Sequence, residues 1–328
     1  MNQVSHARSA DCQNRIAGGV AQLPDCEGED TERAILKTVL YSSLFDYALT
    51  PDEIAHYLVE TVSSEDEVRS VLAASEWLDG QIARVDGHVT LRGREDLASQ
   101  RRERARASRR LWRKARFLAR ALSWLPFVRM AAVTGALAME NSAEHDDVDV
   151  FLVTAPGRVW LTRALAIALV YMGKLARTTL CPNYVVSQEV LSIEPRTVYV
   201  AHEFVQMVPI YGFAMYRRMR AANPWIRDLL PNADQPLHQE PEYHPGPVVR
   251  AVKRVMEWAL SGELGDRLER WEMRRKIRRF SPMAGQAYNS VVLDRTQVKG
   301  HFNDHGTRIS RQYEARLEEY GLVPPGAA

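Results

Sequence analysis

The sequence has few cysteines and no long hydrophobic run, and each scarcity excludes a class of protein. Cys12, Cys26 and Cys181 are the only cysteines among 328 residues. They are too few and too scattered for a disulfide framework or a zinc site, which fits a reducing compartment. The longest uncharged apolar run covers residues 164–173, whereas a membrane helix needs about 20 residues. The N-terminus also lacks the apolar core of a secretory signal, so we expect a cytoplasmic protein without a membrane partner.

The sequence also has little net charge. Lys and Arg number 43 and Asp and Glu number 41, which leaves a formal charge of +2, and 46% of the residues are hydrophobic. Such a balance argues against coating of nucleic acid by the whole surface and against an acidic disordered chain. The length suffices for more than one domain with its own core.

Residues 31–95 carry local signals for a small helical domain that ends in a hairpin. Thr50-Pro51-Asp52-Glu53 has the pattern of a capping box with proline at the first helical position. Asp86-Gly87 separates two short alternating segments, residues 82–85 and 88–91, and is typical of a type I′ turn. Helices and a hairpin in this order resemble a winged helix-turn-helix. Residues 1–30 show no periodicity, and we expect a flexible tail there.

The charge of this N-terminal module bears on its role. Residues 31–95 contain six basic and twelve acidic residues, a net charge of −6. Duplex DNA binding draws most of its affinity from cations that meet phosphates. The charge therefore argues against duplex DNA as a partner and favours a protein-docking or structural role.

Residues 96–125 predict a strongly basic linker helix. Residues 101–120 contain ten Lys or Arg and one acid, Glu103. One apolar stripe follows helical spacing: Leu111, Ala115, Leu118 and Leu122. Two interpretations stay open: a solvated linker, or an electropositive wall that faces a polyphosphate or RNA. For Trp112 and Phe117 we expect packing rather than base stacking.

The remainder of the chain divides into three parts. Residues 126–230 alternate strand-like and helix-like segments, and residues 231–247 contain five prolines that indicate an extended connector. Residues 248–328 predict a C-terminal helical region, with helices near 248–260, 264–280 and 309–320. The pattern as a whole predicts an α+β protein.

One sequence pattern, a glycine bend followed by two closely spaced aspartates, suggests a binding site for a metal ion and phosphate. A short apolar strand, residues 130–134, leads into Gly135-Ala136. Eleven residues separate Gly135 from Asp147-Val148-Asp149, which stands at the start of a second apolar strand. Side chains alternate along a strand, so Asp147 and Asp149 are predicted to share a face. Two such carboxylates call for a cation, and Mg²⁺ or Mn²⁺ prefers oxygen ligands. A glycine bend also allows the backbone to approach a phosphate closely.

This pattern, VTGALAMENSAEHDDVDVFLV in residues 133–153, resembles the nucleotidyltransferase fold of the DNA polymerase β superfamily. The segments FDYALT, GRVWLTRAL, CPNYVVS and AHEFVQM further resemble an uncharacterised bacterial family with an N-terminal winged-helix-like module, over roughly residues 31–320. The resemblance implies a nucleotidyltransferase-type mixed sheet domain, flanked by the winged-helix-like module and the C-terminal helical region.

The resemblance also implies an activity and a site. The activity is metal-dependent transfer of a nucleoside monophosphate from an NTP to an acceptor, which could be a small molecule, a protein hydroxyl or an RNA end. Asp147 and Asp149 would hold the Mg²⁺ ions that bridge the triphosphate. Gly135 and the amide of Ala136 would cradle its phosphates.

Two departures from the family pattern leave alternatives open. Ala136 stands where serine is usual, so Thr134 or Ser142 would have to supply a hydroxyl donor. The family also has a third carboxylate on a later strand, for which we prefer Glu189 over its rival Glu203. These departures keep a second hypothesis alive, a non-catalytic nucleotide-sensing or scaffold protein.

One arginine is a further candidate for nucleotide binding. Arg163 follows the second apolar strand of the Asp-x-Asp element, within a segment that predicts a helix. Its guanidinium could pair with a triphosphate, or it could flank a core helix without a functional role.

Overall fold

The computed structural model describes residues 25–174, 180–284, 292–299 and 305–323. Of the predicted tail, residues 1–24 lie outside the described residues, and the remainder belongs to a helix that begins at Asp25. Within the described ranges, no helix is long and apolar enough to cross a membrane.

The N-terminal module has the predicted order of elements. It consists of α1 (Asp25–Ser43), α2 (Pro51–His56), α3 (Glu65–Ala74), α4 (Glu76–Asp79), β1 (Ile82–Val85) and β2 (His88–Leu91). The Thr50 hydroxyl accepts from the Glu53 amide and the Glu53 carboxylate accepts from the Thr50 amide, which confirms the capping box. Asp86 and Gly87 both have positive φ, at 52° and 78°, as a type I′ hairpin turn requires.

The basic helix α5 (Asp96–Trp124) joins this module to the rest of the chain. It has 29 residues and a buried stripe that includes Leu111, Ala115, Leu118 and Leu122, as the sequence predicts. At roughly 1.5 Å per residue the helix is about 43 Å long. Arg101 near its start donates to Glu53 of the module and to the carbonyl of Glu140, which ties the module to the α/β part.

A mixed six-stranded sheet forms the centre of the molecule. Its strands are β3 (Val128–Thr134), β4 (Val148–Thr154), β5 (Leu180–Ser187), β6 (Val208–Tyr211), β7 (Val292–Leu293) and β8 (Gln297–Lys299). Their order is β6-β3-β4-β5-β8-β7, and β4 and β5 pair in parallel while the other neighbours are antiparallel. The inner strands β3 and β4 are buried along most of their length, so the sheet lies within the core.

The strands β7 and β8 correct the expectation that the C-terminal region is helical throughout. They have only two and three residues. Segments this short carry no alternation that sequence periodicity could detect. The pairing of β8 with β5, and of β7 with β8, is what makes them strands.

The remaining helices lie around the sheet and against one another. They are α6 (Gly135–Ala138), α7 (Val159–Lys174), α8 (Val198–Val205), α9 (Phe213–Ala221), α10 (Ile226–Leu229), α11 (Pro247–Leu260), α12 (Glu263–Ala284) and α13 (His305–Glu319). Between α10 and α11 the chain forms no helix or strand, as predicted for the proline-rich connector. The last helix α13 packs Ile309, Tyr313 and Leu317 into the core of the N-terminal module. The fold is therefore mixed α+β, with the two ends of the described chain in contact.

Candidate functional site

A cavity of about 570 Å³ lies where the N-terminal module meets the central sheet. Its wall includes Tyr41 of α1, the bend at Gly135, Asp149 of β4, Glu203 of α8 and Lys299 of β8. Elements that are distant in the sequence therefore meet around one space, and several of them bring charged side chains to it.

The bend after β3 depends on glycine. Gly135 has φ +68°, and a Cβ atom at this position would lie 2.8 Å from Oδ2 of Asp149. An L-residue here would therefore be strained and would displace the Asp149 carboxylate. Thr134 pairs with Asp149 across the β3–β4 ladder, so the bend and the acid are held against each other. Thr134, Gly135 and Ala136 all line the cavity.

Two carboxylates face this cavity together. Burial, and next the charge of Asp149, raise the pKa of Glu203 to about 7, while Lys299 opposes that rise. Asp149 and Glu203 thus interact electrostatically, with a cationic side chain beside them. Of the two candidates for a third acid, the cavity contains Glu203.

Two of the predicted acids lie elsewhere. Asp147 precedes β4 by one residue and is exposed, and it is not among the residues that line the cavity. The expected shared face requires both acids to lie within the strand, but β4 begins at Val148. Glu189 is exposed beyond the end of β5, where it accepts a hydrogen bond from the Ser187 hydroxyl at 3.1 Å. The structure therefore does not bring Asp147, Asp149 and Glu189 together on one wall.

Two of the predicted nucleotide-binding residues also lie outside the cavity lining. Ser142 is fully buried and its amide donates to the Ser108 hydroxyl of α5 at 3.0 Å. Arg163 belongs to α7, which packs against α12 and β5. The remaining hydroxyl candidate, Thr134, lines the cavity.

The cavity wall also contains residues that were not predicted as site residues, and four of them are Arg104, Asp146, Lys299 and His202. Arg104 donates to Oδ1 of Asn141 at 3.1 Å, and Asp146 accepts from the Ala143 amide at 2.7 Å. Lys299 reaches the cavity because β8 pairs with β5. No local sequence signal marks Lys299, since its position depends on strand pairing over more than one hundred residues.

The fourth residue, His202, is a structural part of the wall. Its side chain is buried and stacks on Tyr41 at 3.8 Å between ring centroids, and Nδ1 bonds with the carbonyl of Val198 at 2.9 Å. Burial lowers its pKa to about 4. The imidazole is therefore neutral near pH 7 and supports the wall of the cavity.

Two side chains of the cavity have the donor chemistry that a hard dication prefers. Asp149 and Glu203 supply carboxylate oxygens, which Mg²⁺ and Mn²⁺ prefer. Among the described residues, however, no group of three or more His, Cys, Asp or Glu side chains is arranged to hold a metal ion. Of the candidate acids Asp147, Asp149, Glu189 and Glu203, the cavity lining contains Asp149 and Glu203.

Comparison of the chain with protein-family models, with curated proteins and with solved structures finds no match. The geometry of the cavity and the sequence pattern around it are therefore the basis for a functional proposal.

Proposed function

We propose that this protein is a metal-dependent nucleotidyltransferase that transfers a nucleoside monophosphate from an NTP to an acceptor. One observation carries the proposal: the Gly135 bend packs directly against Asp149 in a cavity that also contains Glu203. A phosphate-approaching backbone bend beside paired carboxylates is the arrangement that a metal-bound triphosphate requires.

The residues of the cavity have distinct roles in this proposal. The main chain at Gly135 and Ala136 approaches the phosphates, and the Thr134 hydroxyl adds a donor. Asp149 and Glu203 would hold Mg²⁺, which would supply positive charge that neutralises developing negative charge. The oxygen of an acceptor hydroxyl forms a bond to the α-phosphorus and its proton passes to solvent. The bond from the α-phosphorus to the oxygen that bridges to the β-phosphorus breaks, and pyrophosphate leaves. Lys299 balances the charge of the two acids.

The N-terminal module fits a positioning role in the same proposal. Tyr41 and Tyr57 of the module form part of the cavity wall. Arg101 of α5 bonds Glu53 of the module at 3.1 Å, and both side chains are largely buried. The acidic, winged-helix-like module would therefore orient the catalytic cavity or dock a partner rather than bind duplex DNA.

The experiment is labelling with NTP that carries the isotope on the α-phosphorus, in the presence of Mg²⁺. We expect Asp149→Asn and Glu203→Gln each to lower the rate at least about 100-fold, as loss of a charge-stabilising group does. Glu189→Gln is the matched control, because Glu189 is exposed outside the cavity. Unchanged labelling by Asp149→Asn, with an unchanged thermal unfolding curve, would refute the proposal.

A second candidate is a non-catalytic nucleotide sensor with the same cavity. The specific observation in its favour is Lys299, which brings a cation beside Asp149 and Glu203 without a metal ion. Calorimetry with Mg²⁺ and NTP separates the two functions. Binding without release of pyrophosphate favours the sensor, and release of pyrophosphate favours the transferase.

A further inference from the structure

A second pocket lies against the outer face of α5. It has a volume of about 640 Å³, and five arginines line it: Arg106, Arg109, Arg110, Arg113 and Arg116. Their spacing of three and four residues places them on one side of the helix. We call this set the arginine strip.

The acids around the strip already have cationic partners. Glu240 accepts two bonds from Arg116, at 2.7 and 2.8 Å, and His238 lies between Glu240 and Glu140, at 2.8 and 3.5 Å. Burial alone would lower the pKa of His238, but the hydrogen bonds to the two carboxylates raise it overall. Glu140 also interacts electrostatically with Arg109, so these two acids offset only part of the charge of the five arginines, and the strip stays cationic.

Four guanidinium groups of the strip face solvent. Arg110 makes a 3.3 Å contact with Glu144 in which both side chains are about 70% exposed. Such a contact contributes little. Arg106, Arg109 and Arg113 are exposed and make no hydrogen bond or ion pair with the residues that the structure describes. The strip therefore presents a row of cations that is available to phosphates.

Two exposed aromatic rings lie on the same side of α5. Phe117 is 67% exposed and Trp124 is 43% exposed, and their seven-residue separation is close to two helical turns. The sequence favoured packing for Phe117, and the structure corrects this, whereas Trp112 is buried and stacks on His238 as packing predicts. Exposed rings beside arginines are the features that bind unpaired bases.

We propose that the arginine strip, together with Phe117 and Trp124, binds a single-stranded polynucleotide. The arginines bind successive phosphates, and the two rings stack on bases. A duplex keeps its bases paired and offers no ring face to Phe117, and an inorganic polyphosphate offers no base at all. The strip and the two rings extend from Arg106 to Trp124, over roughly 27 Å at 1.5 Å per residue.

This binding does not depend on the transfer reaction. The Asp149→Asn variant separates the two proposals, because it should bind the strand as the parent does while labelling is lost.

The first measurement is fluorescence anisotropy with the full chain and a labelled 12-residue oligouridylate. We expect Arg109→Ala/Arg113→Ala to weaken binding about tenfold at low salt and to reduce the salt slope by roughly 1.4, since each phosphate contact contributes about 0.7 for single strands. Arg250→Ala/Arg254→Ala is the matched control, because these arginines are also exposed and four residues apart on α11. Equal weakening by both double variants would overturn the proposal.

The second measurement tests the ring. Phe117→Leu keeps an apolar side chain but removes the π-face, and we expect at least about fivefold weaker binding, the lower limit for loss of one stacked base. Phe117→Trp should bind as the parent does. Because Phe117 is exposed, neither change should alter the thermal unfolding curve. Parental affinity in Phe117→Leu would overturn the stacking that distinguishes this proposal.

The choice of ligand supplies the remaining test. Oligouridylate and oligodeoxythymidylate should both bind, and a duplex of the same length and a long-chain polyphosphate should bind at least tenfold more weakly. If the duplex or the polyphosphate binds as tightly as the single strands, the strip binds anions in general and the proposal is overturned. Phosphate contacts are strong at a low salt concentration of about 50 mM. If no single strand binds under that condition, the proposal is overturned.

Discussion

The helices α5 and α11 are both amphipathic and basic, but α5 buries its apolar side whereas α11 buries its polar side. On α5 the apolar side, with Leu111, Ala115 and Leu118, is buried and the arginines face solvent. On α11 the side that is buried is polar, with Lys253 only 7% exposed. Its apolar side faces solvent instead, where Val248, Val252, Val255 and Trp258 are 52–80% exposed.

Unpaired main-chain groups explain the orientation of α11. Lys253 Nζ donates to the carbonyls of Ser123, in the last turn of α5, and Val128, at the start of β3. Glu257 accepts from the Phe127 amide and from Arg129, both at 2.7 Å. Groups at the ends of helices and strands need partners when they are buried. The comparison shows that an amphipathic sequence pattern predicts a helix. Which side of that helix is buried depends on the groups of the protein against which the helix packs.

The largest effect should come from the buried side of α5. Trp112 is 2% exposed, and Trp112→Ala should lower the free energy of unfolding by about 3–5 kcal/mol, because it leaves a cavity in the core. Urea unfolding measures the change. Phe117→Ala is the matched control on the exposed side of the same helix, and its change should stay within about 0.5 kcal/mol. Similar losses in both variants would contradict the orientation of α5.

The next effect tests the polar contacts of α11. Lys253→Ala leaves the carbonyls of Ser123 and Val128 without a donor, so we expect a loss of about 1–3 kcal/mol in unfolding free energy. Arg254→Ala changes the neighbouring exposed cation and should be nearly neutral. If the two alanine variants unfold at the same urea concentration, the hydrogen bonds of Lys253 do not stabilise the packing of α11.

The same lysine should also produce a pH effect. Burial lowers the pKa of Lys253 to about 8, with Arg129 acting in the same direction and Glu257 opposing it. Between pH 8 and about 10.4 the unfolded chain then binds more protons at this site than the folded chain, so the site gains stability as pH rises, by an amount on the order of 2 kcal/mol. Urea unfolding of the parent and of Lys253→Met at pH 8 and pH 10 measures it. A constant difference between the two proteins would refute the lowered pKa.

The smallest effect concerns the apolar side of α11. Val252 is 52% exposed, and Val252→Ser should change the unfolding free energy by no more than about 0.5 kcal/mol. The matched change on α5 is Leu118→Ser, at a side chain that is 7% exposed, where loss of the buried apolar group should cost about 2 kcal/mol or more. A large loss for Val252→Ser would show that this side of α11 is covered.

The elements that sequence reasoning predicted well are those with local causes. The Thr50–Glu53 capping box and the turn at Asp86-Gly87 each depend on a few adjacent residues, and both are present in the structure. The buried stripe of α5 follows from spacing within one helix. By contrast, β8 is a strand only because β5 lies beside it, and β7 only because β8 does.

The candidate site divides in the same way. Gly135 and Asp149 belong to one continuous motif, and both line the cavity. The sequence favoured Glu189 over Glu203, but the cavity contains Glu203, since the choice depends on where β5 ends and on how α8 lies over the sheet. The prediction for Asp147 assumed that the strand includes this residue, so that its side chain alternates with that of Val148. Because β4 begins at Val148, Asp147 lies in the preceding loop.

By itself, the sequence determined the helices, the hairpin and the glycine bend beside an acid, because each follows from interactions between residues close along the chain. Only the tertiary structure decided that Glu203 and Lys299 meet Asp149 and that α11 exposes its apolar side. The physical reason is that burial, electrostatic interaction and the pairing of main-chain groups depend on neighbours in space, and those neighbours come from distant parts of the chain.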